Sequence, residues 1–212
     1  LVVVGGHDGA QRTATVEVFR AESNAWKHLT HLQSPRSELM VATLQGSLCA
    51  FGGMGFRQVF ATGEVYNPGA DQWTPMPEMT TKRSAGAAAM LGTRLFAVGG
   101  HDGSGRLATV EALDPRAGAW GPVKSMANKR SGLAVCAMGE RLYAIGGHDG
   151  YGRLASVEVY DPLMNTWERG PSMASCRAFL AAAYLDEVGL IALGGHDGEN
   201  RLASCEVLVP AK

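Results

Sequence analysis

The chain has 212 residues, a formal net charge of −1 and 46% hydrophobic residues, enough apolar material for a substantial core. Near-neutral charge argues against nucleic acid or another polyanion as the main ligand, and no apolar run approaches the ~20 residues that span a bilayer. The four cysteines show neither a disulfide pattern nor metal-type pairing such as C-x-x-C, so they read as reduced thiols of a cytoplasmic or nuclear protein.

Adjacent glycines recur at Gly5-Gly6, Gly52-Gly53, Gly99-Gly100, Gly146-Gly147 and Gly194-Gly195, in steps of 47, 47, 47 and 48 residues. Trp26, Trp73, Trp120 and Trp167 keep a step of 47, as do Arg36, Arg83, Arg130 and Arg177. Glu17, Glu64, Glu111, Glu158 and Glu206 follow in steps of 47, 47, 47 and 48. Such a period marks a repeat architecture in which each unit hides its faces only against its neighbours.

In chain order, residues 1–30 make a partial unit that opens on the apolar run Leu1-Val2-Val3-Val4. That run is already under way at Leu1, so a further segment is expected before it. Full units follow over 36–77, 83–126 and 130–173, and a last partial unit over 177–209. The unit beginning at Arg130 reads most clearly. Leu133 to Met138 is an apolar run suited to a buried strand, labelled a. Gly139-Glu140 turn the chain, and Arg141 to Ile145 alternate into strand b, which ends at Gly146-Gly147. His148 to Arg153 carry the Asp-Gly signal of a loop. Val157 to Tyr160 give strand c, Asp161-Pro162 to Asn165 a turn, and Thr166 to Glu168 a short strand d stopped near Pro171. No segment keeps a 3.6-residue apolar period, so no helix is expected. Four short antiparallel strands per unit make a propeller blade. The glycine pairs allow close backbone approach, and the repeated Trp anchors one blade on the next.

The diglycine, the string Val-Glu-Val-Tyr-Asp-Pro, then Asn-Thr-Trp and Met-(x)3-Arg-Ser together resemble the kelch repeat, over essentially the whole chain. The stretch from Gly146 to Met173 is most similar to the Kelch-like adaptor family, in which a six-bladed kelch propeller follows a BTB domain and brings substrates to a cullin-type ubiquitin ligase. The resemblance implies an all-β propeller of four-stranded antiparallel blades. The first unit holds b, c and d and the last a, b and c, so about 4.5 blades of six are expected, a fragment of a larger propeller with unpaired strand edges at its ends.

Antiparallel alternation puts the b–c and d–a loops at one end of a propeller. Arg12, Arg57, Arg106, Arg153 and Arg201 lie in b–c loops, and Arg36, Lys82, Arg83, Lys129, Arg130 and Arg177 in d–a loops. Converging guanidiniums suit carboxylate or phosphate. In the Kelch-like family the corresponding face binds substrates. The resemblance thus implies Arg36, Arg83, Arg130 and Arg177, with Ser37, Ser84 and Ser131, as partner-binding candidates; Ala178 interrupts the series. The alternative is that each repeated Arg pairs internally with the repeated Glu of strand c. His101 and His148, copies of a position shared with His7 and His196, suit a rim contact or a loop hydrogen bond better than a metal, because ring symmetry holds copies a blade apart. Asp8, Asp102, Asp149 and Asp197 precede glycine and read as turn formers. The second unit departs from the pattern, with Met54-Gly55-Phe56-Arg57 after its diglycine. Phe56, Arg57 and, in the matching loop of another unit, Tyr151 are candidate partner anchors; the alternative folds Phe56 back onto its blade. Cys176, next to Arg177, is a candidate reactive thiol or else an ordinary loop residue.

These features point to a protein-interaction module that takes an acidic peptide on the basic end. On the family resemblance, the module serves a cullin ligase through a BTB domain outside this sequence. The alternatives are an actin-binding kelch protein or a copper-oxidase or sugar-modifying kelch enzyme. No Tyr–Cys–His cluster, nucleophile elbow, phosphate loop or zinc motif supports an enzyme, and neither cofactor nor metal is expected.

Overall fold

The computed structural model describes residues 1–209 and contains eighteen strands. They form five antiparallel sheets, each a simple meander. The first blade has three strands, β1 (Val2–His7), β2 (Arg12–Arg20) and β3 (Ala25–Leu29). Three four-stranded blades follow, and a three-stranded blade of β16 (Ala181–Leu185), β17 (Gly189–Leu193) and β18 (Cys205–Leu208) comes last. Five blades therefore stand where about 4.5 of six were expected. The first and last units each form their own three-stranded sheet.

The unit read residue by residue lands close to its reading. Its strands are β12 (Ala134–Met138), β13 (Arg141–Ile145), β14 (Val157–Asp161) and β15 (Thr166–Gly170). Small residues in the a strands, such as Ala87, Ala88 and Ala89, let neighbouring blades approach at their inner ends. The core lies in the seams between blades. Between the second and third blades, Met40, Cys49 and Phe51 meet Leu95, Leu113 and Trp120. Between the third and fourth, Phe96, Val98 and Val110 meet Leu133, Leu142 and Tyr160.

The repeated residues lock these seams with polar contacts. Nε1 of Trp73, Trp120 and Trp167 donates to the carbonyls of Thr30, Pro77 and Lys124 on the preceding blade, at 2.8, 2.9 and 2.8 Å. Trp26 has no preceding blade among the described residues and is 48% exposed. At the inner ends, Ala85 N–H donates to the Glu38 carbonyl, Gly132 N–H to Ala85 and Phe179 N–H to Gly132, so one amide chain runs from blade to blade. The diglycine is sterically required. Gly99 sits at φ +62°, and a Cβ there would stand 2.5 Å from the Arg130 carbonyl oxygen. Gly100 N–H donates to that same oxygen at 2.7 Å.

Candidate functional site

Backbone bridges pair Ser37 with Met54, Ser84 with His101, Ser131 with His148 and Ala178 with His196. Each joins a d–a loop to the following b–c loop, so the two loop sets share one end of the propeller, as alternation requires. The d–a arginines nevertheless lie beneath that end rather than on it. Arg36, Arg83, Arg130 and Arg177 are only 0–1% exposed. Arg83 Nη1 donates to the carbonyls of Gly99 and Thr109, both at 2.9 Å, and Nη2 to Glu111 Oε1 at 2.8 Å. Arg36, Arg130 and Arg177 repeat this with Glu64, Glu158 and Glu206 at 3.3, 3.1 and 3.1 Å. The partner-binding expectation for these four gives way to the internal pairing: burial leaves no guanidinium face for a ligand. Ser37, Ser84 and Ser131 are buried as well.

Each glutamate also caps the crossover that covers it. Glu111 accepts from the amides of Thr80 and Thr81 and from the Thr80 hydroxyl. Burial pushes Glu111 up, but the bonds from Thr80 and Arg83 outweigh it and hold the carboxyl below its ordinary value. Glu17 differs from its four copies. Among the described residues the partner within ion-pair reach is His28 at 3.6 Å, and both side chains are solvated.

The accessible cations of this end are the b–c arginines with Lys82 and Lys129. Arg57, Arg153 and Arg201 are exposed, while Arg12 and Arg106 are half-buried. Serine hydroxyls tether two of them: Arg12 Nε donates to Ser37 Oγ and Arg106 Nε to Ser131 Oγ, both at 3.1 Å. Aromatic side chains stand among them. Phe56 is 84% exposed with the Arg57 guanidinium 5.1 Å from its ring, and Tyr151 is fully exposed. Phe56 does not fold back on its blade. Phe60 does: it is half-buried with the Arg36 guanidinium 4.7 Å from its ring. A cleft between the first two blades is lined by His7, Arg12, Phe56 and Phe60.

The histidines serve their loops through Nδ1. His101 and His148 accept the amides of Gly103 and Gly150, each at 2.9 Å, which places the proton of the neutral ring on Nε2. Burial and the Arg106 and Arg153 charges hold His148 below the ordinary histidine range. Asp102 and Asp149 accept two loop amides each, as turn formers do. Cys176 Sγ donates to the Asp197 carbonyl at 3.3 Å, and the adjacent Arg177 charge is engaged by Glu206. Among the described residues no three His, Cys, Asp or Glu side chains converge as a metal-holding group, and no helix is long and apolar enough to cross a membrane.

One rim residue escaped the sequence reading. Phe179 is 68% exposed at φ +55°, a left-handed conformation that costs a bulky residue roughly 1–3 kcal/mol. Glu38, Ala85 and Gly132 hold the equivalent position in the second, third and fourth blades, also at positive φ. The available signal was an aromatic two residues after a repeated Arg.

Among curated proteins none matches this sequence. The solved structure of YjhT superposes with a TM-score of 0.77, covering 91% of this chain and 71% of that chain at 19% identity, a likeness of fold alone. The Kelch motif matches residues 1–33, 35–80, 82–127 and 129–174. With most of its length in four matched motifs and its blades built as the period requires, the chain belongs to the kelch-repeat family.

Proposed function

We propose that this propeller is a non-catalytic protein-interaction module that binds an acidic peptide across the rim made by its b–c loops. Kelch propellers generally bind protein partners. The observation that carries this reading is the accessible set Arg12, Arg57, Arg106, Arg153 and Arg201, interleaved with exposed Phe56 and Tyr151. Arginine and aromatic side chains dominate binding hot spots, and a guanidinium forks onto a carboxylate. The resemblance of the repeats to Kelch-like adaptors supports a finer reading, that the bound partner is a substrate carried to a cullin-type ligase. Selection of a random phage-displayed peptide library on the 212-residue chain tests the binding role. Enriched peptides should be rich in Asp and Glu, and their affinity should fall as salt rises. Peptides without acidic excess, or equal binding by an Arg106→Ala, Arg153→Ala double variant, would reject it. The ligase reading fails separately if the full-length protein and a purified cullin do not associate.

A further inference from the structure

Within that rim the seam between the fourth and fifth blades differs from the others in three respects. In the first, Arg12 and Arg106 are tethered to Ser37 and Ser131, each 25 residues downstream. The residue 25 after Arg153 is Ala178, which has no hydroxyl to hold it. Arg153 reaches across the seam, with Nη1 3.6 Å from where a Cβ of Gly198 would stand, as Arg106 Nη1 does toward Gly150 at 3.8 Å, but without a hydroxyl to fix it. Gly198 belongs to the loop that carries His196, whose Nδ1 accepts the Gly198 amide at 3.0 Å. Its remaining ring nitrogen, Nε2, is therefore a donor.

In the second, two exposed guanidiniums share one cleft. Arg153 and Arg201 line it together with Phe179, Gly195 and His196, and among the described residues neither arginine forms an ion pair. In the third, the floor is aromatic. Phe179 occupies a backbone conformation that bulky side chains rarely adopt. Its ring lies over Gly132, where an added Cβ would come within 3.2 Å. The glycine of one blade thus makes room for the phenyl of the next.

We propose that this cleft seats a carboxylate side chain of the bound peptide, with an apolar residue next to it resting on Phe179. The inference rests on the binding role proposed above and names the peptide chemistry it selects. The forked donors of Arg153 and Arg201 and the Nε2–H of His196 suit one carboxylate. Freedom from a serine tether lets Arg153 adjust to it. Phe179 supplies apolar contact area beside the charge, so an Asp or Glu flanked by a Leu, Phe or Trp is preferred over an isolated one.

The probe is the acidic peptide most enriched from the phage library, synthesised and titrated calorimetrically against variants of the 212-residue chain. Phe179→Ala keeps the backbone geometry, since Ala85 already holds the equivalent left-handed position, and unchanged circular dichroism verifies it. Phe179→Ala and Arg153→Ala should each weaken binding about tenfold or more. Ala178→Ser, which restores the tether, should weaken it several-fold. Phe179→Ala should also abolish the benefit of the apolar neighbour, so truncating that neighbour in the peptide costs nothing further. Acidic peptides that depend on Phe56 but ignore Phe179→Ala and Arg153→Ala would overturn this assignment and leave the binding role standing. A phosphoserine replacement of the acidic residue that binds more tightly would overturn the carboxylate assignment. Recovery of no acidic peptide at all would overturn the binding role itself and this inference with it.

Discussion

Glu111→Gln should be among the most damaging conservative substitutions in this protein, and Glu17→Gln, at the same repeat position, among the mildest. Glu111 is 1% exposed and accepts from Thr80, Thr81 and Arg83. The amide removes the negative charge and offers two donors where only donors face it. Arg83, fully buried, then carries an uncompensated charge, and its Nε already lacks a partner among the described residues. Breaking one side of such a pair costs about 3–5 kcal/mol. For a chain of this length that is a fall in melting temperature of roughly 6–20 °C. Among the described residues Glu17 faces only a solvated His28 at 3.6 Å, so its substitution should stay within about 0.5 kcal/mol. Urea unfolding followed by tryptophan fluorescence measures both. A double variant, Arg83→Met with Glu111→Leu, should recover much of the loss, because an apolar pair removes the desolvation cost of both charges. The reasoning fails if Glu111→Gln loses under about 1 kcal/mol, or if Glu17→Gln loses as much.

Acid should unfold the propeller through the same carboxylates. Burial pushes Glu111 and Glu206 up, but their hydrogen bonds and arginines outweigh it, so each titrates lower folded than unfolded. The unfolded chain then binds more protons, and this stability is complete above the ordinary glutamate value of about 4.3 and lost as pH falls through the folded value. His148, also lowered, acts in the same direction below about pH 6.5. Thermal melts across pH 3–7 should show a monotonic decline toward acid, and a rise there would contradict it. Gly99→Ala should cost at least about 2 kcal/mol, since it adds a backbone clash to a left-handed φ. Gly118→Ala, at the same φ of +62° in open space, should cost only about 1 kcal/mol, and equal losses would show that conformation alone matters. Among the thiols, exposed Cys205 should react first with a disulfide reagent, while Cys49, buried and with its pKa raised by that burial, should react only on unfolding.

Much of the site's location, though less of its composition, could be read without coordinates. The antiparallel alternation of strands dictates which loops share an end, and the Ser84–His101 and Ser131–His148 bridges place them so. Phe56 and Tyr151 stood out because they interrupt a repeat on those loops, and both are exposed. The repeated arginines left two readings open, because a charged residue near a loop looks the same in sequence whether it faces solvent or a buried glutamate 28 residues away.

The sequence by itself determined the period, the four-strand unit and the turns, because strand alternation, Asp-Gly loops and glycine pairs act over a few neighbouring residues. Only the tertiary structure decided which cations remain at the surface. A crossover that closes over one blade buries Arg83 against Glu111, whereas Glu17, with no such crossover over it among the described residues, stays in water. It likewise decided that Phe179 stands on the rim, since a left-handed backbone held by the Gly132 carbonyl sets its direction. Burial is a property of what closes over a residue, and a repeat fixes only the residue.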